Sequence, residues 1–419
     1  MNYNDKIALV WDAGYGIEHA ARLAKDFKEV YLYTPWQERA PKLRRHAPGI
    51  GLAPNLIKEK EFFKRVPEAD LIVFTDVGAG DLAAYLRSQG KLVFGGGQGE
   101  MLEQDRHRFR RIQQKIGLPT QKTFLAHGVS SLRKFIKRHP DVFVKQNIFR
   151  GDWESFHAKD YESVELFLDQ IQDVLGPFKE QYELLVEEAV NDAVQPGTDA
   201  FFSTQFYFPC VVGFEDDAPY IGKVCTREQM PPVMLKTLEA LTPVMARLDY
   251  RAGFSTEERI TNPNTSYLID MTCRFAYVLS LIYTEAITNY TDLIWAVAAG
   301  EPCIPEFVAP YIGCLNVDTL DEDHWTYLDI PEKLRQYVKL TGSCIVDDKA
   351  YYVPNGGGTP MVLIAWGDTP SIVASRLKRL LDKVDCLSSD KNSYAKIDSV
   401  IKKIKDAKSF GVDLEPISE

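Results

Sequence analysis

The sequence predicts a multidomain protein of mixed α/β and α+β class: an N-terminal parallel-sheet domain, a central α+β region and a small C-terminal α/β domain. Three observations lead there. The chain has 419 residues, beyond the size at which one hydrophobic core stops growing. Its first part alternates apolar strand candidates with helix-length segments, the pattern of βαβ units. Its middle breaks that rhythm with short strands and a long hairpin, and a strand–turn–helix unit closes the chain.

The apolar run from Ile7 to Val10 reads as the first strand. It leads into Trp11-Asp12-Ala13-Gly14-Tyr15-Gly16 and a helical pattern from Ile17 to Phe27. Further strands are expected from Glu29 to Tyr33, Asp70 to Phe74 and Lys91 to Phe94, with helices from Glu59 to Arg65 and Leu82 to Gln89 between them. A glycine turn after the first strand lies where an open parallel sheet places a ligand. It also serves as a plain strand-to-helix connection, and the sequence leaves both readings open. A basic helix starts near Glu103 and is stopped by Gly117-Leu118-Pro119. Strands from Val142 to Lys145 and Glu183 to Glu187 flank an amphipathic helix from Tyr161 to Leu175. The hairpin runs from Gly253 to Thr261, turns at Asn262-Pro263-Asn264 and returns from Ser266 to Met271. The last unit has a strand from Met361 to Trp366, a helix from Ser371 to Val384 and a Lys-rich tail.

Composition excludes several function classes. Lys plus Arg number 49 against 59 Asp plus Glu, a net charge of −10. A nucleic-acid polymer or an anionic membrane rewards the opposite balance. No apolar run reaches the roughly 18 residues that a membrane span needs. No secretory signal is visible behind Met1, so a cytoplasmic protein is expected. The seven cysteines are odd in number and contain no Cys-x-x-Cys pair, which reads as reduced packing thiols.

The hairpin holds the most informative chemistry. Side chains alternate along a strand, so Asp270 and Thr272 share a face and Arg274 continues it. Glu257 or Glu258 on the partner strand faces the same side. Two carboxylates and a hydroxyl suit Mg²⁺, which prefers oxygen ligands and is completed by substrate phosphates. A solvated hairpin with its acids in water fits the same pattern. Lys145, at the end of a Val/Phe-rich strand, is a candidate phosphate clamp, because a buried cation needs an anion. Arg106 is a second, or one member of a solvated face with Arg108, Arg110 and Arg111. Glu187, Glu188 and Val190 follow an apolar strand and could run beside a flat base or simply end that strand.

Taken in order, these segments resemble the ATP-grasp ligases, and within them the phosphoribosylamine–glycine ligase family, over nearly the whole chain. The turn Gly14-Tyr15-Gly16-Ile17-Glu18-His19-Ala20 is similar to that family's Gly-Gly-Arg-Glu-His-Ala turn. Asp105-Arg106 and Phe109 resemble carbamoyl phosphate synthetase, and Val144-Lys145 the second phosphate-binding lysine. Val186-Glu187-Glu188 with Gly197-Thr198-Asp199-Ala200-Phe201 resembles the adenine hinge and the ribose-binding acid. Leu268-Ile269-Asp270-Met271-Thr272-Cys273-Arg274-Phe275 resembles the Glu-x-Asn-x-Arg-Phe strand. Val353-Pro354-Asn355-Gly356-Gly357 with Gly367-Asp368-Thr369 resembles the closing domain.

The resemblance implies a Rossmann-like pre-ATP-grasp domain over residues 1–102 and an ATP-grasp domain over 103–308 with a lid at about 121–190. A ligase-type C-terminal domain would cover 309–419. It implies ATP and Mg²⁺ (or Mn²⁺) as cofactors. Arg106, Lys145, Glu187, Glu188, Val190 and Asp199 would bind the nucleotide, and Asp270, Thr272 and Glu257 the metal. The thirteen-residue spacing from Asp270 favours Glu257 over Glu258. Arg274 and Lys145 would be catalytic, and Gly14, Gly16, Glu18 and Arg227 would bind substrate. The implied activity is amide formation from an amino-acid carboxylate and an amine through an acylphosphate, as in purine biosynthesis, by a monomer or homodimer.

Departures from the family pattern are as specific. Ile17 stands where the turn has arginine, and Thr272 where the strand has asparagine. The glycine-rich lid is reduced to Arg150-Gly151-Asp152. Gly222 to Arg227 occupies the stretch of another family loop, and Ala276-Tyr277-Val278-Leu279 replaces Gly-Asp-Pro-Glu. ATP handling reads as retained and acceptor recognition as rebuilt. The alternatives are a nucleotide-binding protein with reduced catalysis and a ligase for a modified nucleotide or peptide-like acceptor. A third, a dinucleotide-binding oxidoreductase, rests on Gly14 and Gly16 alone.

Overall fold

Parallel β pairing organises the N-terminal part of the computed structural model, which describes residues 2–12, 14–35, 47–148, 154–354, 358–387, 389 and 393–416. The strands β1 (Ile7–Trp11), β2 (Glu29–Tyr33), β3 (Leu56–Glu59), β4 (Leu71–Phe74) and β5 (Val93–Phe94) lie in the order β3-β2-β1-β4-β5. All four pairings are parallel. The core of this sheet is continuous because β1 and β4 are apolar on both faces. One element departs from the sequence pattern. Leu56–Glu59 pairs with β2 as a strand, and the helix expected from Glu59 shrinks to Phe62–Arg65. Tertiary pairing here outweighs the weak preferences of Ile-Lys-Glu.

A four-stranded antiparallel sheet follows, of β6 (Thr123–His127), β7 (Val142–Gln146), β8 (Ser155–Ala158) and β9 (Glu183–Glu188), in the order β6-β9-β7-β8. The helices Val129–Ile136 and Glu165–Leu175 cover one face through Leu132, Ile136, Leu168 and Ile171. This lid region thus owns a separate small core.

The remaining strands are β10 (Gly197–Phe202), β11 (Cys210–Glu215), β12 (Pro219–Cys225), β13 (Ala252–Asn262), β14 (Thr265–Thr272), β15 (Tyr311–Val317), β16 (Thr326–Leu328), β17 (Val338–Leu340), β18 (Ser343–Val346), β19 (Lys349–Tyr352) and β20 (Met361–Gly367). Eight of them form one sheet in the order β14-β13-β10-β11-β12-β15-β20-β17, and β16-β19-β18 form a small one. The β12–β15 pairing carries the large sheet straight across the boundary expected between residues 308 and 309. The Lys-rich tail forms a further helix, Tyr394–Asp406, whose Ile397, Val400 and Ile404 join the main core. Of the resemblances quoted, Arg150-Gly151-Asp152 and Asn355-Gly356-Gly357 lie outside the described residues.

A buried ion group ties the N-terminal turn to the C-terminal strands. Glu18, in the helix Ile17–Leu23, is 5% exposed. It accepts from Arg335 and from the Leu340 N–H, each at 2.8 Å, with Lys339 at 3.7 Å. Burial alone would raise its pKa, but the two cations and the amide outweigh that and hold it below the usual range. Glu18→Ala should therefore lower unfolding stability by about 3 kcal/mol, the low end for a broken buried pair, because Lys339 keeps Glu285 at 2.8 Å. A shift of the urea unfolding midpoint checks it.

Candidate functional site

The hairpin register puts Glu257 directly opposite Asp270 and Ser255 opposite Thr272. Alternation along β13 puts the next residue on the other face with Thr256 and Ile260, while a bulge at Ile269 of β14 brings Asp270 opposite Glu257. Glu258 is fully buried there, accepting from Thr237 Oγ1 at 2.9 Å and Ser266 Oγ at 2.5 Å. Glu257 is the acid that joins Asp270.

Two cavities meet at this pair. One, of about 210 Å³, is lined by Phe143, Lys145, Glu187, Glu188, Val190 and Ile269 beside the hairpin. The other, of about 260 Å³, is lined by Asp199, Glu215, Tyr220, Thr272, Arg274 and Tyr277 among others. Gln195, Glu257 and Asp270 line both. Burial, then Glu215 and then Asp270, push the Glu257 carboxyl up to about 7, with Lys145 and Arg259 opposing. Acids crowded in this way favour a cation. Glu257, Asp270 and the Thr272 hydroxyl are hard oxygen donors, so the residues fit a Mg²⁺-type ion that substrate phosphates complete. Among the described residues no three His, Cys, Asp or Glu side chains converge closely enough to hold a metal unaided.

The basic helix begins at Asp105, whose side chain accepts from the Arg108 N–H at 3.0 Å, and spans Arg106–Lys115. Its two faces differ. Arg108 and Arg111 are exposed, whereas Arg106 and Arg110 are buried. Arg106 donates to the Gln146 carbonyl at 2.7 Å, pairs with Glu154 and lies 3.8 Å from Asp270. Its Nε has no partner among the described residues, yet it lines neither cavity. Arg110 grips Glu187 with two nitrogens and donates to the carbonyls of Leu268 and Ile269. Lys145 donates to the Ile269 carbonyl at 2.9 Å and lies 3.3 Å from Glu187. Burial would raise the Glu187 pKa, but Arg110 and Lys145 hold it below the usual range. The side chain of Glu187 is thus committed to cations; what it offers a base is its strand end, where Val190 follows.

Arg274 lines the larger cavity and is held 3.1 Å from both Asp76 and Glu103. The Cys273 N–H donates to the same Glu103. Asp76, Glu103, Arg110, Glu154 and Glu215 are site residues that sequence reasoning missed, because nothing local distinguishes them from surface charges. Arg110 had one signal, its four-residue spacing from Arg106 on the helix face that also carries Phe109 and Gln113, but it was masked by the dense charge around it.

Four expected substrate residues are placed elsewhere. The N–H groups of Gly14 and Gly16 donate to the buried Asp12 carboxylate at 2.6 and 2.8 Å, and the Gly14 carbonyl accepts from Gly342 at 2.8 Å. Amides consumed in this way cannot cradle a phosphate, which also removes the basis for a dinucleotide site. Glu18 is locked to Arg335 and Lys339. Arg227 is half exposed and paired with Glu239 on the surface, away from both cavities, because its loop ends in a 3₁₀ turn that points outward. Asp199 lines the cavity of Glu215 and not that of Val190, so the ribose-binding part is not supported by its position.

These sheets and this hairpin are the ATP-grasp architecture: a parallel-sheet domain, a lid sheet and a large antiparallel sheet enclosing a cleft. Phosphoribosylamine–glycine ligase from Thermotoga maritima superposes with a TM-score of 0.68 at 16% identity, over 92% of this chain and 98% of that one. The biotin carboxylase domain of Hydrogenobacter thermophilus 2-oxoglutarate carboxylase, solved with MgADP and bicarbonate, gives 0.70 at 12% identity, over 99% of each chain. N5-carboxyaminoimidazole synthetase from Staphylococcus aureus with ADP gives 0.61 at 14%, over 91% and 98%. No family model matches the sequence, and no curated protein matches it.

A proton on Glu257 competes with a metal. Mn²⁺ affinity, measured by electron paramagnetic resonance with a non-hydrolysable ATP analogue, should rise as pH passes upward through about 7. Glu257→Gln should lower it about tenfold or more and flatten that pH dependence.

Proposed function

We propose that the protein is an ATP-dependent carbon–nitrogen ligase that forms an amide through an acylphosphate and releases ADP and phosphate. The observation that carries this reading is the convergence at one cleft of Lys145 from the lid sheet with the opposed acids Glu257 and Asp270 of the hairpin. The ADP complexes of two structural neighbours support a nucleotide in the same kind of cleft. Phosphoribosylamine–glycine ligase supports an amino-acid carboxylate, with glycine as the simplest.

The nucleotide base would lie between Phe143 and Val190 with its phosphates toward Asp270. Lys145 would hold the phosphates, and Arg106, 3.8 Å from Asp270 and outside both cavities, would steady that carboxylate. A metal at Glu257, Asp270 and Thr272 would neutralise phosphate charge when bound. In the first step a carboxylate oxygen attacks the γ-phosphorus, the bond to the β-phosphate oxygen breaks, and ADP leaves. Charge repulsion and alignment dominate that barrier, and Arg274, fixed by Asp76 and Glu103, faces the transferring group. In the second step a neutral amine attacks the acyl carbon. The C–N bond forms, phosphate leaves with the C–O electrons, and the amine proton passes to solvent. Tyr277, Val278 and Leu279 form an apolar wall of the cavity that limits hydrolysis of the acylphosphate.

Lys145→Met and Asp270→Asn should each lower the rate of ADP release at least about a hundredfold, within the range of lost electrostatic stabilisation. The test supplies Mg·ATP, glycine and a panel of amines, with each component omitted in turn. Release without any carboxylate, or unaffected by either substitution, counts against the ligase.

A further inference from the structure

The cavity beyond the metal pair has a charge pattern that specifies its occupant. Asp199, Glu215, Asp217, Glu257 and Asp270 line it against one cation, Arg274, which Asp76 and Glu103 already hold. Glu257 and Asp270 belong to the metal, and Asp217 pairs with Lys396 at 2.5 Å. Asp199 and Glu215 are left, and neither has an ion-pair partner among the described residues.

Two buried polar atoms at the same cavity are unsatisfied. Asp199 is 4% exposed and its Oδ2 accepts no hydrogen bond; Tyr220 is 6% exposed and its hydroxyl has no partner. Unsatisfied buried polar atoms are costly, and natural folds keep few of them without a ligand or water. Glu215 sits at the mouth, where its side chain reaches solvent; burial first and then this neighbouring acid push the Asp199 carboxyl well above the usual range, and an adjacent cation is what favours its ionised form. A Cβ at Gly213 or Gly222 would collide with the Tyr220 hydroxyl, so the two glycines make the space that this hydroxyl occupies.

We propose, resting on the ligase reading above, that this cavity binds the acceptor as a protonated primary amine on an unphosphorylated carbon chain, held by Asp199, Glu215 and Tyr220. An ammonium has three N–H donors, which match Asp199 Oδ2, the Glu215 carboxylate and the Tyr220 oxygen. Ala276, Val278 and Leu279 offer the apolar wall that a carbon chain needs. A second Mg²⁺-type ion fits less well, since a neutral tyrosine hydroxyl is not among the carboxylate, carbonyl and water oxygens that such ions take. A phosphorylated amine is disfavoured twice. The acids repel a dianion, and the N-terminal turn has its amides consumed by Asp12. Solvent at the Glu215 mouth takes the proton that the ammonium must lose before attack.

Calorimetric titration of the full chain with 1,4-diaminobutane, O-phosphoethanolamine and MgCl₂ alone tests this. Diaminobutane should bind, and Glu215→Gln should weaken it about tenfold, the loss of one charged contact. Asp199→Asn should do the same, and Glu228→Gln, on the distant surface, should change nothing. Because Glu215 lies at the mouth, its variant remains decisive even where Asp199→Asn unfolds the chain. Tighter binding of phosphoethanolamine, displacement of the diamine by Mg²⁺ alone, or diamine binding that is absent or unchanged in Glu215→Gln overturns the proposal. ADP release is followed in parallel. Diamine binding with the expected Glu215 dependence, but no ADP release with any carboxylate, removes the ligase reading and leaves the amine site standing.

Discussion

The buried group of Arg110, Glu187 and Lys145 holds the site together. Arg110 comes from the helix that precedes the lid, Glu187 and Lys145 from adjacent lid strands, and both cations also bind carbonyls of β14. Three segments that share little sequence proximity are thereby fixed to the hairpin that carries Asp270. An ion pair this deep contributes little net stability, because desolvation offsets attraction. Its consequence is positional: removing Glu187 would leave two buried cations uncompensated, whereas loss of either cation still leaves Glu187 one partner.

Charge is divided along the cleft on the same principle. The smaller cavity has two cations, Lys145 from the lid side, which lies 3.3 Å from Glu187, and Arg259 from β13. Acids collect on the sheet side, from Asp270 and Glu257 to Glu215 and Asp199. In a chain of net charge −10 these two cations stand beside the opposed acids Glu257 and Asp270, which line both cavities. At the other end, the glycine turn is closed by Asp12, Gly342 and the Glu18 ion group, so it works as a joint between the first and last parts of the chain.

Much of this was legible in the sequence. Period-two alternation placed Asp270, Thr272 and Arg274 on one face, and the strand candidates of the first domain fell close to β1, β2, β4 and β5. The spacing argument for Glu257 agrees with the register, although the sequence held no sign of the β14 bulge that sets Asp270 opposite Glu257 rather than Thr256. Long-range pairing was not legible. The ties of Glu18 to Arg335 and Lys339, and of Arg274 to Asp76 and Glu103, join residues far apart along the chain, and no local pattern marks them. Arg227 was misplaced for a related reason: an arginine on a glycine-containing loop looks the same whether the loop faces a cleft or solvent.

The central claim is that a nucleotide lies between the lid strands and the hairpin. Hydrogen–deuterium exchange with and without a Mg²⁺-bound non-hydrolysable ATP analogue tests it without knowledge of the acceptor. The account predicts slower exchange at residues 142–146, 186–190 and 268–272. Protection confined to residues 12–18, or no change in those three segments at saturating analogue, would contradict it.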